Sequence, residues 1–318
     1  MGVLDVSSRV ATLGLVGLVA LDVALVGMAL RSTESSGFAT GPGATDSARV
    51  TASPSSPSST PTATNSPTAT VAATAAPAAP LRTMLVAVDT QRAWRASTGS
   101  CPAGGAKLAT TSDGGKTWAD AKAPLRTIVR IRPTDGQAAF VIGADSSCVA
   151  QLKDTTDGGG AWGSTSNVGL AWFRDPKNPS AVGAPGSSTS LPCGERPVLD
   201  LTVISTGSAR VLCADGLVRA TTDTGSSWTD LGEATGAVAL GVSSTNLGQT
   251  YVARVGVPGC AGVQIKRVDQ SVATSCIETS APREPGQIAL SLVSGGGWLA
   301  IGDTTMRSTD DLATWSVS

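Results

Sequence analysis

Arginines and carboxylates must carry whatever chemistry this chain performs, because it contains no histidine and a single tyrosine, Tyr251. Losing imidazole removes the commonest acid–base group, the commonest metal ligand and the serine–histidine–aspartate triad together. Two groupings stand out. The first is TTSDGGKTW, Thr110 to Trp118, which returns as TTDGGGAW (Thr155 to Trp162), as TTDTGSSW (Thr221 to Trp228) and, with Leu312 in place of the glycine, as STDDLATW (Ser308 to Trp315). The second is RTIVRIRP, in which strand alternation puts Arg126, Arg130 and Arg132 on one face. Asp89 ends the matching run TMLVAVD, and Asp200 lies within a third such run. Together these five residues form a polar funnel suited to a peptide or glycan ligand.

The elements that position these groups follow from the repeat. The runs RAWRAS, AAFVIGAD, ARVLCAD, QTYVARV and GGWLAIGD align Trp94, Phe140, Val211, Tyr251 and Trp298 at one equivalent position. Counting forward from Tyr251 as in the first two units reaches Asp269, an eroded copy of the turn that keeps only its aspartate. Asp113, Asp157, Asp223, Asp269 and Asp310 then recur about every 44 residues, except where an insertion around 171–194 lengthens one interval. Short apolar runs with Gly-rich turns and almost no helical signal are the sequence form of a propeller blade. The expected fold is all-β: a β-propeller of about five four-stranded blades over 81–318, with the insertion leaving room for a sixth.

The pattern Thr/Ser-x-Asp-x-Gly-x-Thr/Ser-Trp resembles the Asp-box, or BNR repeat, of sialidases, xyloglucan-degrading glycosidases, the sortilin family and related bacterial propellers. The match runs through Thr111, Asp113, Gly115, Thr117 and Trp118; Thr155, Asp157, Gly159 and Trp162; Thr221, Asp223, Gly225, Ser227 and Trp228; and Ser308, Asp310, Thr314 and Trp315. The resemblance implies turns at the blade periphery, away from any catalytic cleft. Their carboxylate and hydroxyls would bond local amides, glycine would supply the positive φ, and the tryptophan would bury its ring between sheets. RIRP is similar to the Arg-Ile-Pro motif of sialidases, but it follows the first box instead of preceding it, and Tyr251 sits in the packing slot. The expectation is therefore a non-enzymatic protein- or glycan-binding or assembly module, as in the similar photosystem assembly-factor propellers. A cell-surface glycoside hydrolase of sialidase-like type is the alternative.

The remainder of the chain suggests where this module works. Residues 10–30 are apolar except for Thr12 and Asp22, about the length of a membrane-spanning helix. They read as a transmembrane anchor behind a short cytoplasmic tail, 1–9, with a signal peptide cut after Ala29 as the rival. Residues 31–80, rich in Ser, Thr, Pro and Ala, read as a disordered linker. All six cysteines lie beyond it, which implies an oxidising exterior and places the propeller outside the cytoplasm of a single-pass membrane protein. Six cysteines admit fifteen pairings. Position in the repeat favours Cys101 with Cys148, Cys193 with Cys213 to pin the insertion, and Cys260 with Cys276 to staple the eroded unit. A net charge of −1 gives no reason to expect nucleic acid, and no cofactor or metal motif is present. The composition suggests a GC-rich, actinobacterial source.

Overall fold

The structure, a computed structural model, describes residues 79–186, 188–246, 248–279 and 286–318. The expected tail, membrane span and linker lie outside them, except for linker residues 79 and 80.

Every strand pairs antiparallel with its neighbour in the chain, which divides the described residues into six sheets. Blade one comprises β1 (Thr83–Ala87), β2 (Ala93–Ser97), β3 (Lys107–Thr111) and β4 (Ala119–Ala121). Blade two comprises β5 (Thr127–Pro133), β6 (Ala139–Ala144) and β7 (Ala150–Thr155), and blade three β8 (Phe173–Arg174), β9 (Val182–Ala184) and β10 (Ser188–Ser190). Blade four holds β11 (Val198–Val203), β12 (Ala209–Cys213), β13 (Leu217–Thr221) and β14 (Thr229–Glu233). Blade five holds β15 (Ala237–Val242), β16 (Thr250–Arg254), β17 (Val263–Arg267) and β18 (Ala273–Ile277), and blade six β19 (Ile288–Val293), β20 (Gly296–Ile301), β21 (Thr304–Ser308) and β22 (Ser316–Val317). The innermost strands β1, β5, β8, β11, β15 and β19 touch in that order, and β19 returns to β1. The fold is an all-β, six-bladed propeller.

The stretch read as an insertion is therefore a whole blade. It escapes the repeat because it has no aspartate turn, although its tryptophan, Trp172, fills the aromatic slot of Trp94 and Trp298: its indole donates to Thr206 in the next blade's hairpin at 2.8 Å, beside Gly225 of that blade's turn. Blade four also needs a correction of register. Ala93, Ala139, Ala209 and Gly297 each pair with the threonine or serine that opens the following turn, so the residues that follow, Trp94, Phe140, Arg210 and Trp298, are equivalent. The slot assigned to Val211 belongs to Arg210, and Val211 is buried instead against Trp172 and Val182 of blade three.

The four aspartate turns have one geometry. The hydroxyls of Thr111, Thr155, Thr221 and Ser308 donate to the aspartate two residues on at 2.7–2.8 Å. Each hydroxyl also accepts the amide of Gly115, Gly159, Gly225 or Leu312 at 3.0–3.1 Å. The same aspartates accept the amides of Thr117, Ala161, Ser227 and Thr314 at 2.9–3.0 Å. The hydroxyls of Thr117, Ser227 and Thr314 add a further bond at 2.6 Å, which Ala161 cannot make. These hydroxyl and amide donors hold the Asp113 and Asp223 carboxyls down at about 2. The glycines run at φ +84 to +89°, and Leu312 holds the equivalent position at +70°.

Each turn also ties down the β-hairpin tip beside it. The amides of Gly114, Gly158, Thr224 and Asp311 donate to the carbonyls of Gln91, Gln137, Gly207 and Gly295, between the first and second strands of the same blade. The tryptophans that close the turns, Trp118, Trp162, Trp228 and Trp315, are half-buried instead of enclosed, because each lies across an outer edge. The indoles of Trp162, Trp228 and Trp315 donate to Lys122, Ser190 and Ser275 of the preceding blade. Trp94, Trp172 and Trp298 are the enclosed ones. Blade five has the ion pair Arg267–Asp269 at 2.5 Å where the other turns have a hydroxyl and an aspartate.

Three disulfides complete the frame, paired as the repeat favours: Cys101–Cys148 between blades one and two, Cys193–Cys213 between three and four, and Cys260–Cys276 within five. The two blades that lack the aspartate turn are both anchored by a disulfide.

Candidate functional site

Apolar clusters fill five of the six seams between blades: one–two, three–four, four–five, five–six and six–one. Among the described residues the seam between blades two and three has no such cluster. A cavity of about 810 Å³ lies on the propeller axis and reaches into that seam, past Phe140 and Leu152 of blade two to Asn167 and Leu170. Leu170, at 85% exposure, is the most exposed large apolar side chain among the described residues.

The sequence places the charged walls through three β-bulges. Val129, Leu199 and Val238 are the extra residues in β5, β11 and β15, where pairing skips from Ile128 to Arg130, from Val198 to Asp200 and from Ala237 to Ala239. A bulge changes which face the following residues present. Arg130 and Arg132 come out into the cavity beneath one aromatic ring, their guanidinium carbons 5.1 and 5.9 Å from the centre of Phe140. Arg130 donates to the Trp172 carbonyl of blade three. Burial, then the charge of Arg132, lowers the Arg130 guanidinium to about 9, so it remains a cation at neutral pH. None of the described ion pairs involves either arginine.

Asp200, the one carboxylate lining the cavity, is already committed. It accepts the amides of Leu201 at 2.7 Å and Leu240 at 2.8 Å, which sews the bulged strand of blade four to blade five. Burial raises its carboxyl above the usual range, against those amides and the positive charge of Arg174. Arg174 is also spent: its two terminal nitrogens donate to the carbonyls of Leu199 and Leu81, both at 3.2 Å. Sequence reasoning missed it because its partners lie 25 and 93 residues away in the chain. The remaining walls are aliphatic and hydroxylic, including Val86, Val203, Val242, Leu292, Thr202 and Ser291.

Of the five residues singled out in the sequence, the structure brings together Arg130, Arg132 and Asp200. Asp89 lies beyond the end of β1, where it caps its own turn through the amides of Gln91 at 2.7 Å and Arg92 at 2.8 Å and pairs with the Arg92 side chain. Arg126 precedes β5 at the opposite end of that strand, exposed, and donates to the Ala103 carbonyl at 3.3 Å. The bulge at Val129 breaks the even alternation that grouped it with Arg130 and Arg132.

No protein-family model matches the sequence, and no curated protein does. Among solved structures the chain is similar to YCF48 from Cyanidioschyzon merolae (13% identity, TM-score 0.39, 76% of this chain and 87% of that one). It is also similar to a mutant of the Aleuria aurantia lectin AAL in complex with Fucalpha1-6GlcNAc (13%, TM-score 0.46, 74% and 94%). A third likeness is to the GH74 xyloglucanase from Xanthomonas campestris, 15% identical with a TM-score of 0.30, over 77% of this chain but only 38% of the enzyme. The ring of six sheets, and not these likenesses, defines the class.

Proposed function

We propose that the protein is a binding or assembly module that captures an extracytoplasmic protein or glycan in its central cavity and does not hydrolyse it. The observation that carries this reading is the state of the charged groups in the cavity. Arg130 and Arg132 stand uncompensated, ready for an anionic group, while the lone carboxylate is consumed by two backbone amides. Glycoside hydrolysis uses two carboxyl groups facing one bond, about 5 to 9 Å apart, and the cavity lining supplies only Asp200. The bonded geometry of the aspartate turns supports reading them as Asp-boxes that fix the hairpins around the cavity mouth. Three disulfides support an oxidising compartment, and the apolar stretch at 10–30 supports a single membrane anchor with the propeller outside.

The test is chemical cross-linking of the full-length tagged protein in its native envelope, comparing the natural chain with Arg130→Ala/Arg132→Ala. Loss of the captured species with an unaltered melting curve is the expected result. Undiminished capture by the double variant overturns the proposal.

A further inference from the structure

The ring carries no shared blade: all six sheets are built from contiguous chain, with β1 opening blade one and β22 ending blade six. An apolar cluster fills the seam between the first and last blades, and Trp298 and Arg307 bond across it to Asp89 and Thr90 at the hairpin-tip end; a second tie lies at the opposite end. The segment just before β1 crosses the propeller axis. Leu81 donates its amide to the Leu199 carbonyl of blade four, across the ring, at 3.0 Å, and its own carbonyl accepts Arg174 of blade three. Its side chain is 7% exposed and packs with Val238 and Ala239 of blade five and Ile288 and Leu290 of blade six. The amides of Arg82 and Thr83 both donate to Gly286, at 2.7 and 3.0 Å. Gly286 runs at φ +79°, and a Cβ there would meet the Pro80 carbonyl at 2.5 Å.

We infer that Pro80–Arg82 is the clasp of the ring and the floor of the cavity, so that the cavity is blind and takes its ligand only from the opposite face. The open face is the one at the C-terminal ends of the first strands, where Arg132, Ser205 and the four aspartate turns lie. Arg174 joins the two roles, because it holds Leu81 and Leu199 and lines the same cavity as Arg130. Loosening the clasp therefore unseats one wall of the binding site. The direction of ligand approach rests on the proposed binding role. The clasp does not.

Two measurements separate them. Hydrogen exchange of full-length Leu81→Gly and Arg174→Met is expected to rise at least tenfold across β1 and β19 while β12 and β16 stay protected. Unchanged exchange across β1 and β19 in both variants, or a uniform rise throughout, overturns the clasp. For direction, full-length Ser205→Cys and Ser146→Cys are each blocked with a maleimide-polyethylene glycol and put through the cross-linking capture. Ser205 is on the cavity rim, and Ser146 is exposed in the β6–β7 turn on the opposite face. Loss of capture with the Ser205 block alone supports a blind cavity, whereas loss with the Ser146 block alone overturns it. Capture unaffected by either block overturns the binding reading of the cavity and leaves the exchange result standing.

Discussion

The seam between blades one and two and the seam between blades two and three begin from the same slot on the second strand and end as different objects. In the first, Trp94 is fully buried, donates its indole N–H to Asp135 of the next blade and lies beside Gly159 of that blade's turn, where an added Cβ would meet Ala121 at 2.8 Å. In the second, the slot holds Phe140, which has no N–H to offer and faces a blade without an aspartate turn. Its ring is half-buried and carries two guanidinium groups instead of an apolar neighbour. One aromatic closes a seam because its partner blade supplies an acceptor and a glycine. The other leaves a seam open because its partner supplies neither.

The largest effect expected from this contrast is Trp94→Ala. Removing a fully enclosed indole leaves a cavity in a packed seam and should cost about 3 to 5 kcal/mol. Chemical denaturation of the two chains measures it directly. A loss below about 1 kcal/mol would mean that Trp94 and Phe140 seams are energetically alike and that the contrast is only one of shape.

Next in size is Phe140→Ala, expected to cost about 1 to 2 kcal/mol because only part of the ring is removed from water. Its signature lies elsewhere. Without the ring both arginines lose the surface that orients them, so capture should fall even though the fold persists. Arg130→Met should act in the opposite direction on stability, raising it by about 1 kcal/mol, since a largely desolvated cation with no carboxylate partner is replaced by a side chain of similar length. Stability up with capture lost would sharpen the distinction between a seam kept for holding the ring together and one kept for binding. Stability falling in Arg130→Met would show that its bond to the Trp172 carbonyl is structural.

The sequence reveals the turns far better than the seams. The aspartate, hydroxyl, glycine and tryptophan of each turn interact within eight residues, so their spacing is itself the evidence, and the disulfide pairs follow once the repeat is in phase. Blade three is invisible as a blade for the same reason: without the turn there is nothing for a period to catch. The site is half legible. Arg130 and Arg132 share a face by alternation, but the bulges at Val129, Leu199 and Val238 carry no composition signal and decide which residues enter the cavity. Arg174 and Leu81 meet only through the closure of the ring, and the contacts that make the clasp span most of the chain.

The smallest effect tests the turns themselves. In the folded protein Asp113 and Asp223 titrate near 2, against an ordinary value of 3.8, because hydroxyls and amides bond the charged form. A carboxylate whose folded value is depressed contributes stability that is present above its unfolded value and lost as pH falls through the folded one. The window is therefore about pH 4 down to about pH 2. Asp157 and Asp310 are lowered by the same kinds of bond, so blades one, two, four and six share the dependence. Blades three and five, which lack the turn, do not. Hydrogen exchange followed through that window should rise first at the hairpin tips around Gln91, Gln137, Gly207 and Gly295, while β9 and β17 change later. Asp113→Asn/Asp223→Asn should flatten the response at Gln91 and Gly207 and leave it at Gln137 and Gly295. If all six blades loosen together, the turns stabilise the ring as a whole, and the division between blades with the turn and blades without it fails.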